Sequence, residues 1–284
     1  MKKIFYSLIV ILLLLLSTLA IIMTSIGIET DRFNNFIVKK VEKNNSSIKI
    51  KLKKIKFKLD IKNIDLFLET KKPKLVYKDL NIPIQNIKVY LNFVSLIKSQ
   101  IKIDKIYMSS SEINIKQFKK IIVKTKPSTL NSLITNKIEK GKLLCNLELY
   151  FNDDLDVINF IARGKAYKIN SKINDRLSLK NTSFNFFADT TDILVTNIIS
   201  NTDGLLIKNG NLKINNNEKI DLKFEFDTEV KINKENINNY LTFFRSLKFI
   251  NKETKLNADL NNYLQMSFDK TFKIINYTYK NTGN

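Results

Sequence analysis

Residues 4–28 are apolar almost without a break, interrupted only by Ser7, Ser17, Thr18, Thr24, Ser25 and Gly27, and Lys2 and Lys3 stand before them. At a rise of about 1.5 Å per residue, such a stretch spans a bilayer's hydrocarbon core with some tilt. Ile4, Leu8, Leu12, Leu16, Leu19, Ile22, Met23 and Ile26 are the candidate anchor residues. A cleaved signal needs an apolar run of only about 7–15 residues, so an uncleaved anchor over residues 1–28 is expected. Cleavage after Ala20 or Gly27 is the alternative, and no Cys follows to make a lipoprotein site. Lys2 and Lys3 favour an inside N-terminus. Arg32, Lys39, Lys40 and Lys43 dilute that bias, but a long following domain translocates largely regardless of charge.

Residues 29–45 form a juxtamembrane segment in which 29–44 read as a short helix, because Phe33, Phe36, Ile37 and Val41 recur at helical spacing. That stripe fits a helix lying on lipid, or one that caps the start of a following sheet.

From residue 46 the period changes to two. Ile48, Ile50 and Leu52 alternate with lysines, the phase slips at Lys53-Lys54, and Ile55, Phe57, Leu59 and Ile61 resume it. A one-residue slip that preserves the faces is what a β-bulge produces. Unbroken, residues 48–61 would make a strand of about 45 Å, which suits an elongated, curved sheet. Ile64, Leu66 and Leu68, then Ile87, Val89 and Leu91, then Ile101 and Ile103, extend the pattern, and Ile106 and Met108 resume it after a further phase change. Pro83 belongs at a strand start or edge. Further strands are read at 142–151, 157–169, 177–188, 193–199, 205–214, 220–232, 255–260, 263–268 and 272–279. Turns are expected at 152–154, 201–204, Asn209-Gly210, 215–217 and Asn261-Asn262, Asn-Gly being a strong hairpin signal. Helices are few: 115–123, one opening near Pro127 with Leu130, Leu133 and Ile134, and 236–249. The expected fold is mainly β: a transmembrane helix, then an elongated, curved antiparallel meander over residues 46–284 with a few short helices.

A sheet with one apolar face must cover it. Either a helix layer or second sheet makes it ordinary core, or the sheet curls into a trough that shields acyl chains. The groove candidates are Ile48, Ile50, Leu52, Ile55, Phe57, Leu59, Ile64, Leu66, Leu68, Ile87, Val89, Leu91, Ile101 and Ile103. On the other face Lys49, Lys51, Lys54, Lys56 and Lys58 are either solvated surface or contacts to anionic head groups.

Composition narrows the chemistry. The chain has 48 basic and 27 acidic residues, a net charge of +21, no His, no Trp, one Cys and six Gly. Without His there is no Ser-His-Asp triad, His base or His metal ligand, and one Cys makes neither an intrachain disulfide nor a Cys-rich zinc site. No phosphate-binding glycine motif is present. Asp153, Asp154 and Asp156 lack the Gly and Glu of a calcium loop, and Cys145 sits among leucines as a small hydrophobe. The expectation is a non-enzyme with no catalytic residues, metal or cofactor. The charge suits a polyanion partner or an AT-rich coding bias. Nucleic acid is not expected, because aromatic residues do not share a face with the lysines around Phe57.

The order of anchor, short helix and basic amphipathic strand resembles the N-terminal part of AsmA-like proteins, including the TamB branch. The stretch Ser95-Leu96-Ile97-Lys98-Ser99-Gln100-Ile101-Lys102-Ile103-Asp104-Lys105-Ile106 is similar to a family pattern, and Glu112-Ile113-Asn114-Ile115 to its next short strand, with Ser111 where a Pro is usual. The segments 180–186 and 208–213 resemble the family's meander repeats. The resemblance implies a single-pass bacterial inner-membrane protein with a periplasmic β-groove. It implies partners in the phospholipid membrane, in acyl chains within the groove and in outer-membrane assembly proteins. The implied role is phospholipid transport and outer-membrane biogenesis, or a scaffold assisting outer-membrane protein insertion. Members are generally longer, so a fragment or a short member is expected.

Overall fold

The computed structural model describes residues 2–32, 34–44, 46–62, 65–92, 95, 98, 102–125, 129–154, 156–172, 177–240 and 253–283. Strands make up 59% of it and helices 20%, in an antiparallel meander whose sheet does not close on itself. The chain forms two compact units, residues 1–111 with 147–160, and residues 112–146 with 161–284.

The first unit opens with helix α1 (Lys2–Ser25). Its hydroxyl side chains satisfy themselves: Ser17, Thr18, Thr24 and Ser25 donate to the carbonyls of Leu13, Leu14, Ala20 and Ile21 at 2.6–2.8 Å. A hydroxyl bonded to the preceding turn adds little cost in an exposed apolar helix. At Gly27 the chain turns sharply, with φ +78; a Cβ there would sit 2.8 Å from Lys58 Cγ and 3.0 Å from the Phe57 carbonyl oxygen. Only glycine fits that conformation and approach without strain.

The next residues depart from the expected helix. Ile28–Thr30 form strand β1, antiparallel to β3 (Ile55–Asp60), with Ile28 opposite Phe57 and Thr30 opposite Ile55. Glu29 is held there by Lys54 at 2.9 Å and Lys56 at 3.5 Å, and these pairings select an extended backbone. Helix α2 begins only at Asn34 and runs to Asn44, and Asn34 Nδ2 donates to the Lys53 carbonyl at 3.0 Å.

Residues 48–61 are not one bulged strand. Strand β2 (Ile48–Lys51) ends, and β3 starts in a different sheet. Strands β4 (Asp65–Lys71), β7 (Ile84–Leu91) and β8 (Ile103–Ser110) complete the order β1-β3-β4-β7-β8. Between β4 and β7 the hairpin β5 (Lys74–Tyr77) and β6 (Leu80–Ile82) leaves that sheet and pairs with β2, giving the small sheet β2-β5-β6. Its turn, Lys78-Asp79, has φ of 44 and 67, the conformation a two-residue hairpin requires. The core of this unit is Ile55, Leu68 and Leu91, with Ile37, Leu52, Phe57, Val89 and Ile103 packed against it.

On the opposite face of β3 and β4, Glu69 is buried between Lys58 Nζ (2.9 Å) and Asn86 Nδ2 (2.9 Å). Burial alone would push its carboxyl up, but the hydrogen bonds from Lys58 and Asn86 outweigh it and hold the group below the usual carboxylate range. A lowered folded value contributes stability that is present above the unfolded value and lost as pH falls through the folded one. Lys58→Met removes the main counter-charge. Burial then dominates, Glu69 titrates higher, and about 3 kcal/mol is lost at neutral pH. The acid dependence reverses, with stability rising as pH falls toward Glu69 protonation. Urea unfolding at neutral and mildly acidic pH checks both the loss and the reversal.

The second unit contains β9 (Ile113–Asn114), α3 (Ile115–Val123), α4 (Thr129–Lys137), β10 (Ile138–Phe151), β11 (Val157–Lys172), β12 (Ser178–Ala188), β13 (Asp192–Thr202), β14 (Leu205–Asn216), β15 (Ile220–Ile232), β16 (Leu256–Phe268) and β17 (Ile274–Gly283). The last residues of β10 and the first of β11 belong to the first unit. A capping box starts α3: Asn114 Oδ1 accepts from Gln117 N, and Gln117 Oε1 accepts from Asn114 N. The strands follow one another in chain order from β10 to β17. The core is Leu177, Val230, Ile232, Ile237 and Tyr240. Of the helix expected over 236–249, a single 3₁₀ turn, Ile237–Asn239, is described, and 241–250 lie outside the described residues.

Two expected turns lie inside strands. Asn209-Gly210 is a bulge within β14, and Lys168, Asn181 and Asn197 hold matching left-handed bulges in β11, β12 and β13, with φ of 52 to 54. Asparagine tolerates this conformation, so the same residue serves a bulge or a hairpin. Asn261-Asn262 is mid-β16. Asn262 is buried, donating to Phe226 O, Thr228 Oγ1 and Leu260 O and accepting from Tyr279 and Asn281.

Candidate functional site: an apolar cavity

The first unit holds a half-open cavity of about 530 Å³, within the range of about 300–1,000 Å³ usual for small-molecule sites. Sixteen of its eighteen wall residues are apolar, Thr70 and Asp156 being the exceptions. The floor is one face of the sheet: Ile55, Leu68, Ile87, Val89, Ile103, Ile106 and Met108, with Leu149 and Phe151 from β10. The alternation of strand side chains places them there, since Val89 pairs with Ile106 and Ile87 with Met108. The roof is Ile37 and Val41 of α2 and Ile48, Ile50 and Leu75 of the small sheet. Val157, also in the wall, is exposed. Apolar walls left bare forgo the contacts that a filling chain would supply.

Eight groove candidates wall this cavity: Ile48, Ile50, Leu52, Ile55, Leu68, Ile87, Val89 and Ile103. Phe57 and Leu91 pack in the core beside it. Leu59 and Leu66 face each other in register and are half-buried beyond it. Ile64 and Ile101 lie outside the described residues. Of the helix stripe, Ile37 and Val41 turn to the cavity; Phe33 and the Phe36 side chain lie outside the description. Ile4, Leu8, Leu12, Leu16, Leu19 and Ile22 of α1 are exposed, as is Ile26 just beyond it, and Met23 is half-buried. This helix is long and apolar enough to cross a membrane, as an anchor or a signal sequence would be. Leu75, Ile106, Met108, Leu149 and Phe151 were not among the groove candidates. Ile106 and Met108 carry the same alternation, whereas Leu149 and Phe151 reach the wall only through pairing distant in sequence.

The second unit carries its own apolar rows. Phe186, Val195, Leu212, Phe224, Leu264 and Tyr279 are successive cross-strand partners from β12 to β17, and Ala188, Ile193, Ile214, Leu222, Met266 and Tyr277 form the next row. Every one of these is half-buried except the tyrosines of β17, Tyr279 being 55% and Tyr277 71% exposed.

Polar chemistry is sparse. Among the described residues no cluster of three or more Cys, Asp or Glu is placed to hold a metal ion. Burial pushes the Cys145 thiol up, away from the reactive thiolate. Tyr90 is pushed up to about 12 by burial and by Asp60, Asp65 and Glu148. The arrangement is suited to holding an apolar ligand. No family model, curated protein or solved structure matches this chain.

Proposed function

We propose that the first unit binds lipid acyl chains in the apolar cavity and that the protein is a non-catalytic, membrane-anchored lipid carrier. In this reading α1 anchors the chain in a bacterial inner membrane, N-terminus inside, with the strands in the periplasm. The apolar rows of the second unit are further acyl-shielding surface for phospholipid transport and outer-membrane biogenesis, as the resemblance to AsmA-like proteins implies. The observation that carries the reading is the cavity itself: about 530 Å³, walled almost wholly by aliphatic side chains, in the same compact unit as the apolar helix. Each buried methylene contributes about 0.8 kcal/mol, so an acyl chain gains far more here than a polar metabolite. A diazirine-bearing phospholipid, photolysed with the full chain in membranes, is expected to label peptides containing Ile50 and Met108.

One observation favours a second reading, a scaffold assisting outer-membrane protein insertion. Among the described residues strand β17 pairs with β16 alone, and a strand edge with no neighbour is a template for strand addition. That reading expects a captured protein partner and no cavity-bound lipid.

A further inference from the structure

The small sheet β2-β5-β6 is two-faced. Ile48, Ile50 and Leu75 point to the cavity, so by strand alternation Lys49, Lys51 and Lys74 point away, and all three are exposed. Lys51 and Lys74 are direct cross-strand partners. Like charges directly opposite one another destabilise a strand pair, so this pairing works against the fold when the protein is alone in water. Lys53, Lys71 and Lys72 are exposed at the ends of the neighbouring strands.

Charge in this part of the chain is concentrated and sorted. Fourteen lysines and four carboxylates fall between Lys39 and Lys78, a net +10 of the chain's +21. The structure separates these lysines into two groups. Lys54 and Lys56 are matched to Glu29, and Lys58 to Glu69. Lys49, Lys51 and Lys74 have no carboxylate within ion-pair distance among the described residues. The acids of the small sheet and its approaches do not compensate, since Asp79 in the hairpin turn stands alone against them.

We propose that the lysine face of the small sheet is a contact surface for anionic phospholipid head groups, in the leaflet from which α1 emerges. The choice of a bilayer over another polyanion rests on α1, which is exposed along its length and leads through Gly27 directly into β1, the strand paired with β3. Anionic head groups relieve the Lys51–Lys74 repulsion, and each lysine near such a surface adds attraction that salt screens. The surface does not depend on the cavity holding an acyl chain, because its chemistry is on the opposite side of the sheet.

The test uses the full chain in nanodiscs of phosphatidylcholine alone, or with about 30% phosphatidylglycerol, and follows acetylation of each lysine by mass spectrometry. Lys49, Lys51 and Lys74 are expected to react at least about fivefold more slowly in the anionic discs, the difference vanishing at about 0.5 M NaCl. Lys165 and Lys223 of the second unit should react alike in both. Equal rates for Lys49, Lys51 and Lys74 in the two discs overturn the proposal, as does slowing that includes Lys165 and Lys223 to the same degree. Lipid photolabelling of the cavity is scored separately, so the two ideas fail independently. The variant Lys49→Gln/Lys51→Gln/Lys74→Gln, which removes the charges and keeps unbranched polar side chains, should fold and lose the salt-sensitive protection of Lys53 and Lys72.

Discussion

Gly164→Ala is expected to destabilise the second unit by at least about 3 kcal/mol, the reverse of the usual effect. In an ordinary strand, replacing glycine by alanine gains roughly 0.5–1 kcal/mol, because glycine loses more freedom on folding. At Gly164 a Cβ would lie 2.0 Å from the Leu144 carbonyl oxygen and 2.7 Å from Phe186 Cζ. The phenyl ring sits over the bare backbone as the cross-strand partner of Gly164, an arrangement in which an aromatic covers a strand glycine. The ring can swing aside, but the carbonyl belongs to β10 and moves only if that strand moves. Chemical denaturation, followed by proteolysis of the second unit, reads the loss. A variant as stable as the parent contradicts the packing of β10 against β11.

Ile106→Asp is expected to abolish acyl-chain labelling, by tenfold or more, while leaving the fold in place. Ile106 is a half-buried wall residue in the middle of β8, so water can reach a carboxylate there when the cavity is empty. When a chain fills the cavity, that carboxylate must be stripped of water or neutralised, at a cost of several kcal/mol. The penalty falls on the loaded state, which separates binding from stability. Ile55, 2% exposed, gives the contrast: Ile55→Asp buries the charge in the core and is expected to unfold the unit. Phe57→Asp belongs with Ile55, since Phe57 packs on the same core. Both side chains line the cavity, and circular dichroism with lipid photolabelling on Ile106→Asp and Ile55→Asp distinguishes a half-buried wall position from one that is also core.

The strand pattern is legible because period-two alternation is a local property. The strand 220–232 read from the sequence is β15 to the residue, and 115–123 is α3. The phase slip at Lys53-Lys54 was legible as an event and ambiguous as to kind. A bulge and a change of sheet both shift the alternation by one residue, and only the pairing of β2 with β5, some 25 residues on, separates them. Asn209 and Asn262 were ambiguous for a related reason. The first uses asparagine's tolerance of the left-handed region, the second its amide as a buried hub, and neither use leaves a local signature different from a turn. The wall of the cavity was half legible. Ile48, Ile50, Ile87 and Val89 follow from alternation, but a roof made of α2 and a separate three-stranded sheet depends on contacts that no period encodes. The separation of aromatic residues from lysines is read at Phe57 alone, and other aromatic residues do meet lysines: Lys88 lies over Phe67 and Tyr107, and Lys105 over Tyr90. Cross-strand register, which a single strand does not display, brings them together.

Where a bound acyl chain lies is the measurement that bears most directly on the lipid-carrier reading. A phospholipid with a diazirine near the end of one acyl chain is photolysed with the full chain in membranes, and the labelled peptides are mapped. Labels on β2 and β8, at residues around Ile50 and Met108, in addition to those on α1, are the predicted result. Labels confined to α1, with none on the cavity wall, would contradict it.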